Sequence, residues 1–198
     1  MIVCSFYTTD TPYKEEAEKL RESMAEYGIE GDILGVPTRN SWDLNTKWKP
    51  WVIKRAMNRH NMDVLYVDAD ATFHGKPEFN PGQCDMAAHV MDKAYWNQDT
   101  SKRKFSLMSG TLWFANTEKA RDILDAWDRL NLDFPKTWDQ RNLEHAVDFD
   151  KDKGVVKSDI KFCGLSERYC AIDKTMSGIK DPIIRHHQAS RRLKGAIV

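Results

Sequence analysis

The stretch Val64-Leu65-Tyr66-Val67-Asp68-Ala69-Asp70 constrains this chain more than any other. Four consecutive apolar residues, two of them β-branched, predict a short strand buried on both faces, of the kind found inside a parallel sheet. The run stops at two carboxylates one residue apart. In extended backbone such residues point to the same side, so Asp68 and Asp70 present one joint negative site. Close carboxylates repel unless a cation lies between them, and hard divalent cations take oxygen ligands. An ordinary strand-end turn accounts for the same residues, so the rest of the chain has to discriminate.

Residues 2–6 read as a first strand ending at Tyr7-Thr8-Thr9, and Thr11-Pro12 as a helix start. Ala17, Leu20, Met24 and Tyr27 share one helical face, with Gly28 placed to end the helix. A second strand is expected over residues 33–36, and a polar turn over 37–45. A second helix follows, with Trp48, Trp51, Val52, Arg55 and Ala56 on its stripe. Strand, helix, strand, helix, strand is the alternation of an α/β protein with a mostly parallel central sheet flanked by helices. Open sheets of this type bind ligands at the carboxyl ends of their strands, where Thr8-Thr9 and Asp68-Ala69-Asp70 both lie. Further along, residues 85–90 predict a strand and 91–103 a loop over the site. Two apolar runs are broken at Ser109-Gly110. Helices are expected around Ala120–Leu130 and from Trp138-Asp139-Gln140 through Val147.

The length, 198 residues, suits one domain over residues 1–198. No apolar run approaches the roughly 20 residues of a membrane span, and the start lacks the features of a signal peptide. Cys4, Cys84, Cys163 and Cys170 are scattered without a Cys-x-x-Cys pair, which predicts buried free thiols and a cytoplasmic protein. Formal net charge is zero, against indiscriminate polyanion binding. Local basic segments nevertheless occur at residues 42–62 and 183–198, as expected where a phosphate-bearing ligand is held.

The second of these segments contains Ile183-Ile184-Arg185-His186-His187-Gln188-Ala189-Ser190-Arg191-Arg192-Leu193-Lys194. Two apolar residues before neighbouring histidines predict a last strand that brings imidazole to the acidic site. Adjacent side chains on a strand face opposite ways, so one of His186 and His187 reaches it. Carboxylate with imidazole favours manganese over a purely oxygen-seeking ion.

Taken in order, these pieces resemble the GT-A glycosyltransferases, nucleotide-diphospho-sugar transferases with an Asp-x-Asp motif, and among them the retaining group. The matching residues are Tyr7-Thr8-Thr9, Lys47-Trp48-Lys49-Pro50, Asp68-Ala69-Asp70, Met108-Ser109-Gly110-Thr111, Trp138-Asp139-Gln140 and the segment from His186 to Lys194. The resemblance implies a single GT-A-like, Rossmann-like domain and a nucleotide-diphosphate sugar donor, UDP-linked by default, with Mn2+ or Mg2+. It implies that Asp68 and Asp70 hold the metal with His186, and that Asp68 also lies near the ribose. Thr8, Thr9, Lys47 and Arg55 would contact the nucleotide, and Ser190, Arg191 and Lys194 the diphosphate. Asp139 and Gln140 would stand beside the donor sugar and acceptor. The acceptor stays open between a glycan, a protein and a modified DNA base, and no obligate protein partner is implied. The ending departs from the commoner His-x-x-Gly-x-x-Lys-Pro-Trp.

Two alternatives use the same residues. Asp68-Ala69-Asp70-Ala71-Thr72 satisfies the Asp-x-Asp-x-Thr signature of haloacid-dehalogenase-like phosphatases, although there the motif ends the first strand. A non-catalytic module that binds a nucleotide sugar or DNA is the other. Asp139 also reads as a helix N-cap, and Asp148-Phe149-Asp150-Lys151-Asp152 as a solvated turn that mimics the start of a calcium loop.

Overall fold

Through the first third of the chain each apolar pattern becomes its expected element in the computed structural model, which describes residues 1–78, 82 and 84–193. The order is β1 (Ile2–Thr8), α1 (Tyr13–Glu26), β2 (Gly31–Val36), α2 (Trp42–Thr46), α3 (Lys49–His60) and β3 (Val64–Val67). Then come β4 (Ala71–Phe73), β5 (Met86–Asp92), β6 (Phe105–Phe114), α4 (Glu118–Asp133) and α5 (Asp139–Ala146). The chain closes with β7 (Phe149–Asp150), β8 (Val155–Val156), β9 (Phe162–Gly164), β10 (Ala171–Ile172), β11 (Ile184–His186) and α6 (Ala189–Leu193). No helix among the described residues is long and apolar enough to cross a membrane.

The central sheet is mixed and six-stranded, in the order β2-β1-β3-β6-β5-β9. β1 pairs in parallel with β2 and β3, and β5 with β9, whereas β6 runs antiparallel to both neighbours. β3 lies in the middle and is buried on both faces, as its unbroken apolar run demands. Its alternate residues feed different cores: Val64 and Tyr66 join the α3, α4 and α5 side, and Leu65 and Val67 the α1 side. The helices follow from local chemistry. Thr117 caps α4 by accepting from the Ala120 amide at 3.2 Å, and Ile123, Leu124 and Trp127 form its buried face. Gly28, with φ +60°, lies just past the end of α1, a left-handed conformation that costs glycine nothing.

Four details differ from the sequence expectation. The polar turn holds the short helix α2, capped by Ser41, which accepts from the Leu44 amide at 3.1 Å. The buried stripe of α3 is Lys49, Val52, Ile53, Ala56 and Met57, one position out of phase with the expected one, so Trp51 faces outward. Ser109-Gly110 does not break the chain into two strands. Both lie within β6, where the pairing with β5 steps from Leu112 to Leu107 while β5 advances only from Ala88 to Val90. That bulge frees residues 108–111 from β5 and turns them to the site.

The fourth concerns sulfur. Cys84 and Cys163 form a disulfide with Cα atoms 6.0 Å apart, which corrects the expectation of four free thiols. The β5–β9 pairing sets Cys163 opposite Ala87, beside the segment that carries Cys84. Partners brought together by sheet topology leave no spacing signal in sequence. Cys4 and Cys170 are free and buried as expected. The thiol-based argument for a reducing compartment falls with this pairing.

Candidate metal-diphosphate site

A second, small sheet in the order β10-β11-β4 builds the site. After β3 the chain turns through Asp68-Ala69-Asp70 into β4, and β11 pairs antiparallel with β4 so that His186 lies opposite Ala71. The backbone fixes this turn from both sides. The Asp68 amide donates to the Gly110 carbonyl at 2.8 Å, and the His187 amide to the Asp70 carbonyl at 2.9 Å. Ligand atoms of Asp68, Asp70 and His186 consequently lie within 4.8 Å of one another.

The chemistry of this trio suits a divalent cation. The Asp68 Oδ1 atom accepts from the Tyr66 hydroxyl at 2.8 Å and faces the Lys49 ammonium at 3.0 Å. Asp70 Oδ2 accepts from the Ala189 amide at 2.7 Å. His186 Nε2 lies 2.8 Å from the Thr111 hydroxyl. Asp68 Oδ2, Asp70 Oδ1 and His186 Nδ1 have no hydrogen-bond partner among the described residues. For Nδ1 to coordinate, Nε2 carries the proton and donates to Thr111, a neighbour that fixes the tautomer. Gly110 leaves the required space. A Cβ there would lie 2.9 Å from His186 Cε1, 3.2 Å from its Nδ1 and 3.3 Å from Asp68 Oδ2. Burial first, and the adjacent Asp68 second, raise the Asp70 carboxyl to about 6, against the lowering effect of the Ala189 amide and Lys49. Burial lowers the His186 imidazole to about 4, so it is neutral and able to ligate near pH 7.

Beside the trio stands a buried ion pair. Lys49 Nζ lies 3.0 Å from Asp68 Oδ1 and 3.0 Å from Asp139 Oδ2, and 3.3 Å from both Ser109 oxygens. Burial opposes the ammonium charge, but Asp139 and Asp68 outweigh it and raise its pKa. Burial and Asp68 push the Tyr66 phenol well above its usual range, so it remains a donor. Asp139 opens α5, but its side chain turns inward to Lys49 and makes no cap, which removes the N-cap reading. Its carbonyl accepts from the Trp127 indole at 2.8 Å.

These groups line a cleft of about 290 Å³ at the carboxyl ends of β1 and β3. Of the residues expected from sequence, Thr8, Asp68, Asp70, Asp139, Gln140, His186 and Ser190 line it. Thr9 is exposed and its hydroxyl donates to Asp10. Lys47 is buried, but its ammonium donates to the Asn131 and Phe134 carbonyls at 3.2 and 3.0 Å, away from the cleft. Arg55 pairs with Asp32 at 2.9 Å on the flank of α3. Arg191 borders a neighbouring depression with Glu16 and Asp173, and Lys194 lies outside the described residues. Lys49, Tyr66, Gly110 and Thr111 were not singled out from sequence as site residues. A lysine in helical phase with Val52, Ile53 and Ala56 is a cation on an apolar stripe, and that pattern was the available signal for Lys49.

No protein-family description matches the chain, and no curated protein sequence matches it. Solved structures do. A glycosyltransferase involved in the glycosylation of the major capsid of PBCV-1 superposes with a TM-score of 0.69 over 99% of this chain and 97% of its own, at 14% identity. The fold is that of solved glycosyltransferases. GlyE of Streptococcus pneumoniae TIGR4 superposes with a TM-score of 0.59 at 14% identity, over 93% of this chain. The apo form of GlyE gives 0.57 at 15% identity over the same share. This chain spans about half of GlyE, 54% of its length, and nearly all of the glycosyltransferase involved in PBCV-1 capsid glycosylation.

Proposed function

We propose that the chain is one transferase domain of GT-A type, over residues 1–198, that moves a sugar from a nucleotide diphosphate, a UDP-sugar by default, in a metal-dependent reaction. The observation that carries the reading is the Asp68–Asp70–His186 cluster at a strand end, with the space at Gly110 and the Lys49–Asp139 pair beside it. Asp68, Asp70 and His186 would hold the cation, and the mixed donor set favours manganese over magnesium. When bound, the cation neutralises charge on the departing diphosphate.

The remaining steps belong to the chain's own side chains. Thr8, with Tyr7 and Tyr13, borders the end of the cleft where β1 stops, the place for a nucleoside. Ser190 borders the cleft from α6 and offers a hydroxyl to the diphosphate. Asp139 is fixed by Lys49 and carries its charge beside the place of the anomeric carbon, where positive charge develops as the leaving group departs. A carboxylate engaged by an ammonium is better suited to electrostatic stabilisation than to deprotonating an acceptor. Asp68, Asp70 and Asp139 are the carboxylates of the cleft among the described residues: Asp139 is held by Lys49, and Asp68 and Asp70 would be taken up by the cation. This favours a retaining outcome, with Gln140 beside the sugar.

The decisive experiment is a thermal-shift titration of UDP and other nucleoside diphosphates with and without MnCl2. Specific ligands raise the midpoint by mass action. The reading expects a UDP shift that needs manganese and disappears in Asp70→Asn. Release of phosphate from a generic aryl phosphate, with no nucleotide effect, would instead establish the phosphatase alternative.

A further inference from the structure

The mouth of the cleft is marked by an exposed indole. Trp138 immediately precedes Asp139, lines the cleft and is 55% exposed. Its ring has no hydrogen-bond or aromatic partner among the described residues. Its backbone, by contrast, is held from several directions. Lys47 binds the carbonyls of Asn131 and Phe134 at the end of α4, and the Thr137 amide returns to the Phe134 carbonyl at 3.0 Å. The Trp138 carbonyl accepts from the Arg141 and Asn142 amides at 2.9 and 3.1 Å. Trp127 clamps the next carbonyl. Among the exposed large apolar side chains of the described residues, Trp138 is the one that lines the cleft, and a ring carried on a fixed backbone binds with little further loss of entropy.

The charges around it narrow the ligand. Lys49 is the one Lys or Arg lining the cleft among the described residues, and both of its carboxylate partners are already in place. Several of the cations that would meet a nucleic acid, in the two basic segments and in the loop that carries Arg103, are engaged internally. Arg55 pairs with Asp32, Arg103 with Glu144, Arg185 with Asp173 and Arg192 with Glu16. A phosphate backbone needs free cations to replace its counterions. A neutral pyranose needs none, and its axial C–H groups meet the negative face of an aromatic ring.

Resting on the transferase reading above, we propose that the acceptor is a saccharide, and that Trp138 is the platform on which its accepting ring stacks, which brings a hydroxyl towards Asp139 and Gln140. The transfer balances simply. The acceptor oxygen forms the new bond to the anomeric carbon, the nucleoside diphosphate leaves with the old bonding pair, and the acceptor proton leaves with it or passes to solvent.

The test uses methyl pyranosides of glucose, galactose, mannose and N-acetylglucosamine, a serine- and threonine-rich peptide, and a short oligonucleotide. Saturation-transfer NMR and tryptophan emission read binding without any donor. Product formation from a UDP-sugar with manganese reads transfer. At least one pyranoside should show saturable binding that is lost in Trp138→Ala and kept in Trp138→Phe, with its KM raised about tenfold in the alanine variant. Binding that is unchanged in Trp138→Ala, absence of any pyranoside signal, or transfer to peptide or oligonucleotide alone would overturn the proposal. The manganese-dependent UDP shift of the wild type, measured alongside, separates the two readings. If it is missing while pyranosides still bind at Trp138, the transferase reading fails and the saccharide platform stands.

Discussion

Lys49 at the start of α3 and Asp139 at the start of α5 meet at 3.0 Å beneath the cleft, both almost wholly buried. Ninety residues of sequence separate them, and the same ammonium continues to Asp68 at 3.0 Å. One buried cation thereby spaces the proposed metal trio from the carboxylate beside the proposed anomeric centre.

Lys49→Met should be severely destabilising, because it leaves buried carboxylates without their counter-charge. Breaking a buried ion pair from one side costs about 3–5 kcal/mol. Urea denaturation should show that loss. The double variant Lys49→Met, Asp139→Leu should recover part of it, since it removes an orphaned charge along with the cation. A single-variant midpoint equal to the wild type would sink the claim.

His89 supplies a pH dependence remote from the site. It is buried in β5, its Nδ1 donates to the Leu165 carbonyl at 3.1 Å, and its Nε2 is buried without a partner. Burial lowers its pKa below the usual 6.5. A folded-state value below the unfolded one means that the unfolded chain takes up the proton first. The stability is therefore present above 6.5 and is lost as pH falls through the lowered folded value. Denaturation midpoints at pH 7.5 and 5 should separate, and His89→Leu should narrow the gap. An identical gap in the variant would show that other groups set the acid limb.

Much of this was legible in the chain because it is local. The unbroken apolar run of β3 gave its central place, but Asp68 and Asp70 converge through a turn, closed by the Ala71 amide on the Asp68 carbonyl at 3.1 Å, and not through the alternation of extended backbone. His186 needed the added inference of a last strand, which β11 provides by pairing with β4. What could not be read is set by side-chain reach. Lys47 and Lys49 are two residues apart in one basic segment. Lys47 closes α2 and Lys49 opens α3, and the junction between the two helices sends one ammonium to carbonyls at the end of α4 and the other into the cleft. The Cys84–Cys163 bond and the β6 bulge depend on strand register, which no local spacing encodes.

That distinction is measurable at two positions expected from sequence to bind nucleotide. Arg55→Ala removes one of three basic groups around Asp32, with Arg59 at 3.7 Å and His60 at 3.2 Å remaining. Its cost should stay within about 1 kcal/mol, and the manganese-dependent UDP shift should match the wild type. Lys47→Met leaves two carbonyls short of a donor and should cost about 1–3 kcal/mol. A UDP affinity that falls in Arg55→Ala without loss of stability would place Arg55 at the nucleotide after all.

Gly110→Ala tests the proposed metal trio without removing any of its three side chains. The added methyl would meet His186 Cε1 at 2.9 Å and approach Asp68 Oδ2 at 3.3 Å, so it occupies the space a coordinated cation requires. Alanine is tolerated in strand backbone, and Gly110 has no positive φ that only glycine accepts. The metal-free protein should therefore stay folded, with a midpoint lowered by the shift that His186 must make. The stabilisation by MnCl2 should disappear, as it should in wild-type protein treated with EDTA. Circular dichroism establishes the fold, and isothermal titration with MnCl2 reads the site. Manganese binding at wild-type affinity in folded Gly110→Ala would show that the cation does not sit between His186 and Asp68.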